Sequence, residues 1–129
     1  MNNILLVDSD LGFAFWLGHL LDGAGYEALP ARSAADALAL LATIAIRVDL
    51  VILNPYLKGA AEFVITMKRL QKNARFMAVL PEHEAETEGG GHLPGIDAFK
   101  HKTCKTDEAT QNEWLTFIHG VLSGNAVAH

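Results

Sequence analysis

Cysteine is nearly missing from this chain: Cys104 stands alone, which excludes an internal disulfide and suits a reducing cytoplasm. No apolar run approaches the roughly 18 residues that a membrane span needs. The opening "MNNILLVD" has no basic region and too short an apolar run for a secretory leader. Basic residues are few and scattered, 10 Lys and Arg against 15 Asp and Glu, and the resulting charge of −5 argues against a general nucleic-acid surface. The six histidines lack the short ligand pairs of zinc sites, and His83 and His92 flank acidic residues in a glycine-loosened stretch, so no metal is expected there. Internal repeats are absent. What is present is 129 residues, half of them apolar, enough for one domain to bury a core without disulfides or structural metal.

The apolar pattern alternates between short runs and helical stripes. "NILLV" at 3–7 reads as a strand buried on both faces, and it stops at Asp8-Ser9-Asp10, which is N-cap chemistry. At 100° per residue, 11–24 places Phe13, Trp16, Leu17, Leu20, Leu21 and Ala24 on one face, with Gly25 ending the helix. Residues 26–30 form a weak second strand, and Ser33 caps an Ala/Leu-rich helix over 34–45. A third strand, "DLVIL", spans 49–53, and a helix over 60–72 turns Phe63, Val64, Met67 and Leu70 inward. Further strands are predicted at 76–80 and 96–99. Thr106 or Asp107 then caps a last helix with Trp114, Phe117, Ile118, Val121 and Leu122 on its apolar face. Between the last two strands, "PEHEAETEGGGHLPG" supports at most two turns of helix before a flexible loop. Strands alternating with helices over one domain length predict a parallel sheet covered on both faces, in a domain over 1–123 with a flexible tail at 124–129.

In such a sheet ligands bind beyond the carboxyl ends of the strands. The residues placed there are Asp8, Ser9 and Asp10, then Asn54, then Pro81, then Lys102. Together "ILLVDSD", "GYEALPARSAADALALL", "DLVILNPYLKG", "MAVLPEHE" and "GIDAFKHKT" resemble, in order and spacing over roughly 3–122, the receiver domain of bacterial two-component response regulators. The resemblance implies a flavodoxin-like (βα)5 fold with five parallel strands in the order 2-1-3-4-5, in which the polar, glycine-rich stretch before the last strand would leave the fourth helix shortened or irregular. It also implies a pocket with two adjacent acids, a phospho-accepting Asp, a Ser or Thr, and a Lys. By position, Asp8 matches the first acid and Lys102 the lysine, while Ser9 replaces the second acid, Asn54 the phospho-acceptor and Pro81 the hydroxyl residue. Thr103 replaces the proline usual after the lysine, and Phe99 matches the aromatic switch position.

These departures bear on one reaction. Phosphoryl transfer to a receiver needs an anionic oxygen nucleophile and Mg²⁺ to neutralise the transferring oxygens. An amide oxygen cannot form a stable acyl phosphate, Mg²⁺ wants hard charged oxygens, and proline offers the phosphate neither O–H nor N–H. The expectation is a degenerate pocket that is not phosphorylated, holds Mg²⁺ weakly or not at all, and has Lys102 bonded to Asp8 or to the Asn54 amide oxygen in near-neutral surroundings. The module would then act as a cytoplasmic, non-catalytic pseudo-receiver through a protein partner: a histidine kinase, a phosphotransfer protein, an output protein or a second copy. Leu11 and Phe15, opposite the core face of the first helix, are candidate partner contacts, and the last strand and helix are the usual family dimerisation face. A different class is also open: "DSDLG" after an apolar strand resembles the first motif of haloacid-dehalogenase-type phosphohydrolases, with Asp8 as nucleophile and Asp10 as general acid. Against it stand the short chain, the missing later acid pair and Pro81.

Overall fold

The computed structural model describes residues 2–82 and 93–124. Its strands are β1 (Asn3–Val7), β2 (Glu27–Ala31), β3 (Leu50–Leu53), β4 (Arg75–Leu80) and β5 (Ala98–His101). The helices among the described residues are α1 (Leu11–Gly23), α2 (Ala34–Thr43), α3 (Ala60–Leu70) and α4 (Glu108–Leu122). All neighbouring strands pair in parallel in one sheet of order β2-β1-β3-β4-β5. The expected flavodoxin-like order is therefore present. The segment expected to carry the irregular fourth helix falls largely at 83–92, outside the described residues, as does most of the 124–129 tail.

Strand alternation sorts the core into two layers. Leu5 and Val7 of β1 join Phe63, Val64 and Met67 of α3 and Ala34 and Ala37 of α2. Ile4 and Leu6 point the other way, to Leu17 and Leu21 of α1 and Trp114, Ile118 and Val121 of α4. A period of two puts successive side chains on opposite faces, so continuous apolar runs such as "NILLV" fit a sheet covered on both sides. Trp114, fully buried, meets Phe13 and Trp16 edge-on at ring separations of 5.7 and 5.6 Å.

Helix ends follow local chemistry. Asp10, Ser33 and Asp107 cap α1, α2 and α4 by accepting from the amides of Phe13, Asp36 and Thr110. Gly25 has φ of 91° just past α1, a region that only glycine enters freely.

Three expectations are corrected. Ala24 is exposed because α1 has ended and its backbone closes the last turn. Leu70 is 63 % exposed because the core face of α3 finishes at Met67. The last strand starts two residues later than 96: Asp97 accepts the Phe76 amide at 2.8 Å and donates its own N–H to the Phe76 carbonyl, so regular pairing begins at Ala98.

Candidate functional site

Parallel strands carry their carboxyl ends to the same edge of the sheet, and that edge collects β1, β3, β4 and β5. Val7 pairs with Leu53, Leu53 with Ala78, and Leu80 with His101. The residues after them, Asp8, Asn54, Pro81 and Lys102, therefore share one rim. Backbone bonds hold it: Asp8 N–H donates to the Ala31 carbonyl, Asn54 N–H to the Val7 carbonyl and Lys102 N–H to the Leu80 carbonyl.

Asp8 is the buried centre, 4 % exposed. Its Oδ1 accepts from the Asp10 amide at 3.0 Å and from Asn54 Nδ2 at 3.3 Å. Its Oδ2 lies 2.9 Å from Lys102 Nζ as an ion pair, without the alignment of a hydrogen bond and with no other donor among the described residues. Lys102 Nζ also bonds Asp10 Oδ2 at 3.2 Å and sits 4.7 Å from the centre of the Phe13 ring. Asn54 turns its amide group through Nδ2 toward Asp8, while its Oδ1 accepts the Tyr56 amide at 2.9 Å, an Asx turn leading out of β3.

Of the two partners expected for Lys102, Asp8 is the one it pairs with, and the Asn54 oxygen is committed to its own turn. Asp10 is an unexpected second partner. The cluster of Asp8, Asp10 and Lys102 carries one net negative charge rather than none. Asp10 is the residue that sequence reasoning underrated. Its place two residues after Asp8 marked it as a cap, and the cap geometry itself, with Oδ1 held by Phe13 N, aims Oδ2 at Lys102. The Phe13 amide, with Lys102 helping, holds the Asp10 carboxyl below its usual range.

The other positions contribute less. Ser9 and Pro81 are exposed, Phe99 is half-buried in β5 beside Ala78, and Thr103 accepts the Lys105 amide through Oγ1. Leu11 and Phe15 are 48 and 74 % exposed, away from Lys102 on the flank of α1 that faces β2 and α2.

The donor set suits a divalent cation poorly. One carboxylate is buried; one of its oxygens takes two N–H donors and the other faces an ammonium. An incoming metal ion would meet Lys102 where it needed oxygens, and the second turned-in side chain, Asn54, offers a nitrogen donor. The residues present do not fit Mg²⁺. Acid catalysis by Asp10 fits no better, because a general acid needs a raised pKa and this carboxyl is held low with one oxygen capping α1. The arrangement is an ion pair of Asp8 and Lys102, joined by the Asp10 carboxylate and braced by an amide.

No family model matches the sequence, and no curated protein matches it. Solved structures do match in fold. A LuxR family DNA-binding response regulator from Silicibacter pomeroyi is 22 % identical with a TM-score of 0.74, over 100 % of this chain and 98 % of that one. A CheY-like response regulator receiver domain protein from Methanospirillum hungatei is 20 % identical with a TM-score of 0.76, over 97 % of this chain and 96 % of the other. The beryllofluoride-activated NtrC4 receiver domain dimer is 16 % identical with a TM-score of 0.74, over 98 % of this chain and 100 % of that one. The chain has the fold of response-regulator receiver domains.

Proposed function

We propose that this chain is a receiver-type module of two-component signalling that works by binding a protein partner and does not take up a phosphoryl group. The observation that carries the reading is Asn54, which stands at the end of β3 and donates through Nδ2 to the buried carboxylate of Asp8. A phospho-accepting site needs an anionic oxygen there and a cation to balance transferring charge. Here the amide group faces inward and Lys102 is engaged by two carboxylates. The structure-level likeness to receivers supports the class, and the exposed Leu11 and Phe15 support action through a surface. No helix among the described residues is long and apolar enough to cross a membrane.

The test is intact-mass measurement after incubation with acetyl phosphate and Mg²⁺, with a conventional receiver as positive control. The expected result is no gain of one phosphoryl group. A phosphorylated species that disappears in Asn54→Ala overturns the proposal.

A further inference from the structure

A groove of about 920 Å³ runs along the β2 edge of the sheet, with Asp8 the one residue of the ion-pair cluster on its lining. One wall is a stripe on α1: Leu11, Ala14, Phe15, Gly18 and Asp22. The other is a stripe on α2, Asp36, Ala39, Leu40 and Thr43, with Ile44 just past its end. Both stripes repeat at three and four residues, the spacing of a single helix face. The floor is β2, through Ala28 and Pro30. Leu11, Phe15 and Ile44 on these walls are exposed at 48, 74 and 36 %.

Pro30 decides what kind of backbone can lie there. Among the described residues β2 pairs only with β1, and Glu27 N–H and the Ala31 carbonyl point toward β1. The alternate residues Ala28 and Pro30 therefore present the outer edge, and Pro30 has no N–H. An added strand would lose a ladder bond at its centre, so strand addition is disfavoured. A helix satisfies its own backbone bonds and needs only an apolar trough of its own length. From Leu11 to Asp22 α1 advances about 16 Å, roughly three turns.

Gly18 supplies an independent sign. A glycine inside a helix costs about 1 kcal/mol relative to alanine. Among the described residues a Cβ built there meets only Leu6 Cδ1, at an ordinary 3.8 Å, so their packing does not call for the glycine. With Ala14, Ala28 and Ala39, it keeps the groove open.

The ends of the groove differ in charge. Asp22 and Glu27 line the end where α1 stops and β2 begins, with His19 the nearest basic group on α1, whereas Arg32 at the other end stands beside Asp36 and Asp8, the latter paired with Lys102. A second copy of this chain laid end for end would set the acidic end against a wall where Asp8 and Asp36 outnumber Arg32.

We infer that this groove receives an amphipathic helix of about three turns from a partner protein, its apolar residues entering between Phe15 and Ile44 and its Lys or Arg end meeting Asp22 and Glu27. This site rests on the interaction-module reading only in requiring a partner, and a phosphorylation result leaves it untouched.

The test is a phage-displayed library of helical peptides, randomised at three apolar positions and at both ends, selected on the full chain and counter-selected on Gly18→Leu. The leading peptide is then titrated by fluorescence anisotropy against wild type, Gly18→Leu, Phe15→Ser and Asp22→Asn/Glu27→Gln, with melting followed by circular dichroism. Enriched peptides are expected to carry apolar residues at i, i+4 and i+7 with Lys or Arg at one end. Gly18→Leu, melting no lower than wild type, should weaken binding at least tenfold, and the double neutralisation several-fold with a flattened salt dependence. No enriched peptide, a set without helical spacing or a basic end, or binding indifferent to Gly18→Leu overturns the inference. So does sedimentation showing that wild type self-associates through this groove, with the association lost in Gly18→Leu.

Discussion

Replacing Asn54 by Asp probes the centre of the site, because it changes one N–H donor into a charge and little else. Asn54 Nδ2 lies 3.3 Å from Asp8 Oδ1. Two negative oxygens at that distance repel by about 5 kcal/mol at an effective dielectric of 20. Losing the hydrogen bond adds about 1 kcal/mol. Two effects limit the total. Lys102, 2.9 Å from Asp8 Oδ2, attracts both carboxylates. The pair can also take up one proton, which caps the repulsion at about 4 kcal/mol at pH 7 for a carboxyl with an unfolded pKa near 3.9. The expected loss for Asn54→Asp is thus about 2–4 kcal/mol at pH 7, a fall in Tm of roughly 10 °C for a domain of this size.

The pH dependence gives the prediction its sign. Repulsion raises a carboxyl pKa in the folded variant, so the penalty is absent below the unfolded pKa and complete only above the raised folded one. Urea titrations from pH 4 to pH 7 should show the two proteins converging in acid and separating toward neutrality. A variant as stable as wild type at pH 7, in metal-free buffer, would mean that residue 54 does not face Asp8, and the account of the pocket fails.

Lys102→Met should cost about 3 kcal/mol, because it strands the buried Asp8 carboxylate, and adding Asp8→Asn should recover at least half of that; strictly additive single changes in urea unfolding would refute the pairing. Asp10→Asn keeps a good N-cap but removes the charge. The Phe13 amide first, then Lys102, depresses the Asp10 pKa from 3.8, so its stabilisation is present above that value and lost as pH falls through the folded one. Wild type and Asp10→Asn should therefore differ at pH 7 and converge at pH values below 3.8, with a small gap since Asp10 is 51 % exposed; a gap that widens in acid refutes the assignment.

Much of this protein is legible in its residue order, and the reason is local. Short apolar runs rich in Ile, Val and Leu and bounded by turn residues fit strands covered on both faces, and the caps Asp10, Ser33 and Asp107 announce their helices through chemistry within three residues. The gathering of Asp8, Asn54, Pro81 and Lys102 on one rim follows from parallel strands carrying their carboxyl ends to the same edge. Which groups then touch does not follow. Lys102 reaches Asp10 across 92 positions, and the Asn54 oxygen turns to its own loop; both depend on side-chain angles set by neighbours distant in sequence. The late start of β5 hangs on one contact between Asp97 and Phe76, invisible to any apolar pattern. The groove is likewise tertiary. Leu11 and Phe15 can be read as exposed from α1 alone, but only the packing of α1 and α2 on either side of β2 makes their flank a trough. Sequence determined the elements and the chemistry at the carboxyl edge because those are set by near neighbours. Long-range packing decided the ion-pair partners, the amide's orientation and the binding surface, because it alone fixes distances between residues far apart in the chain.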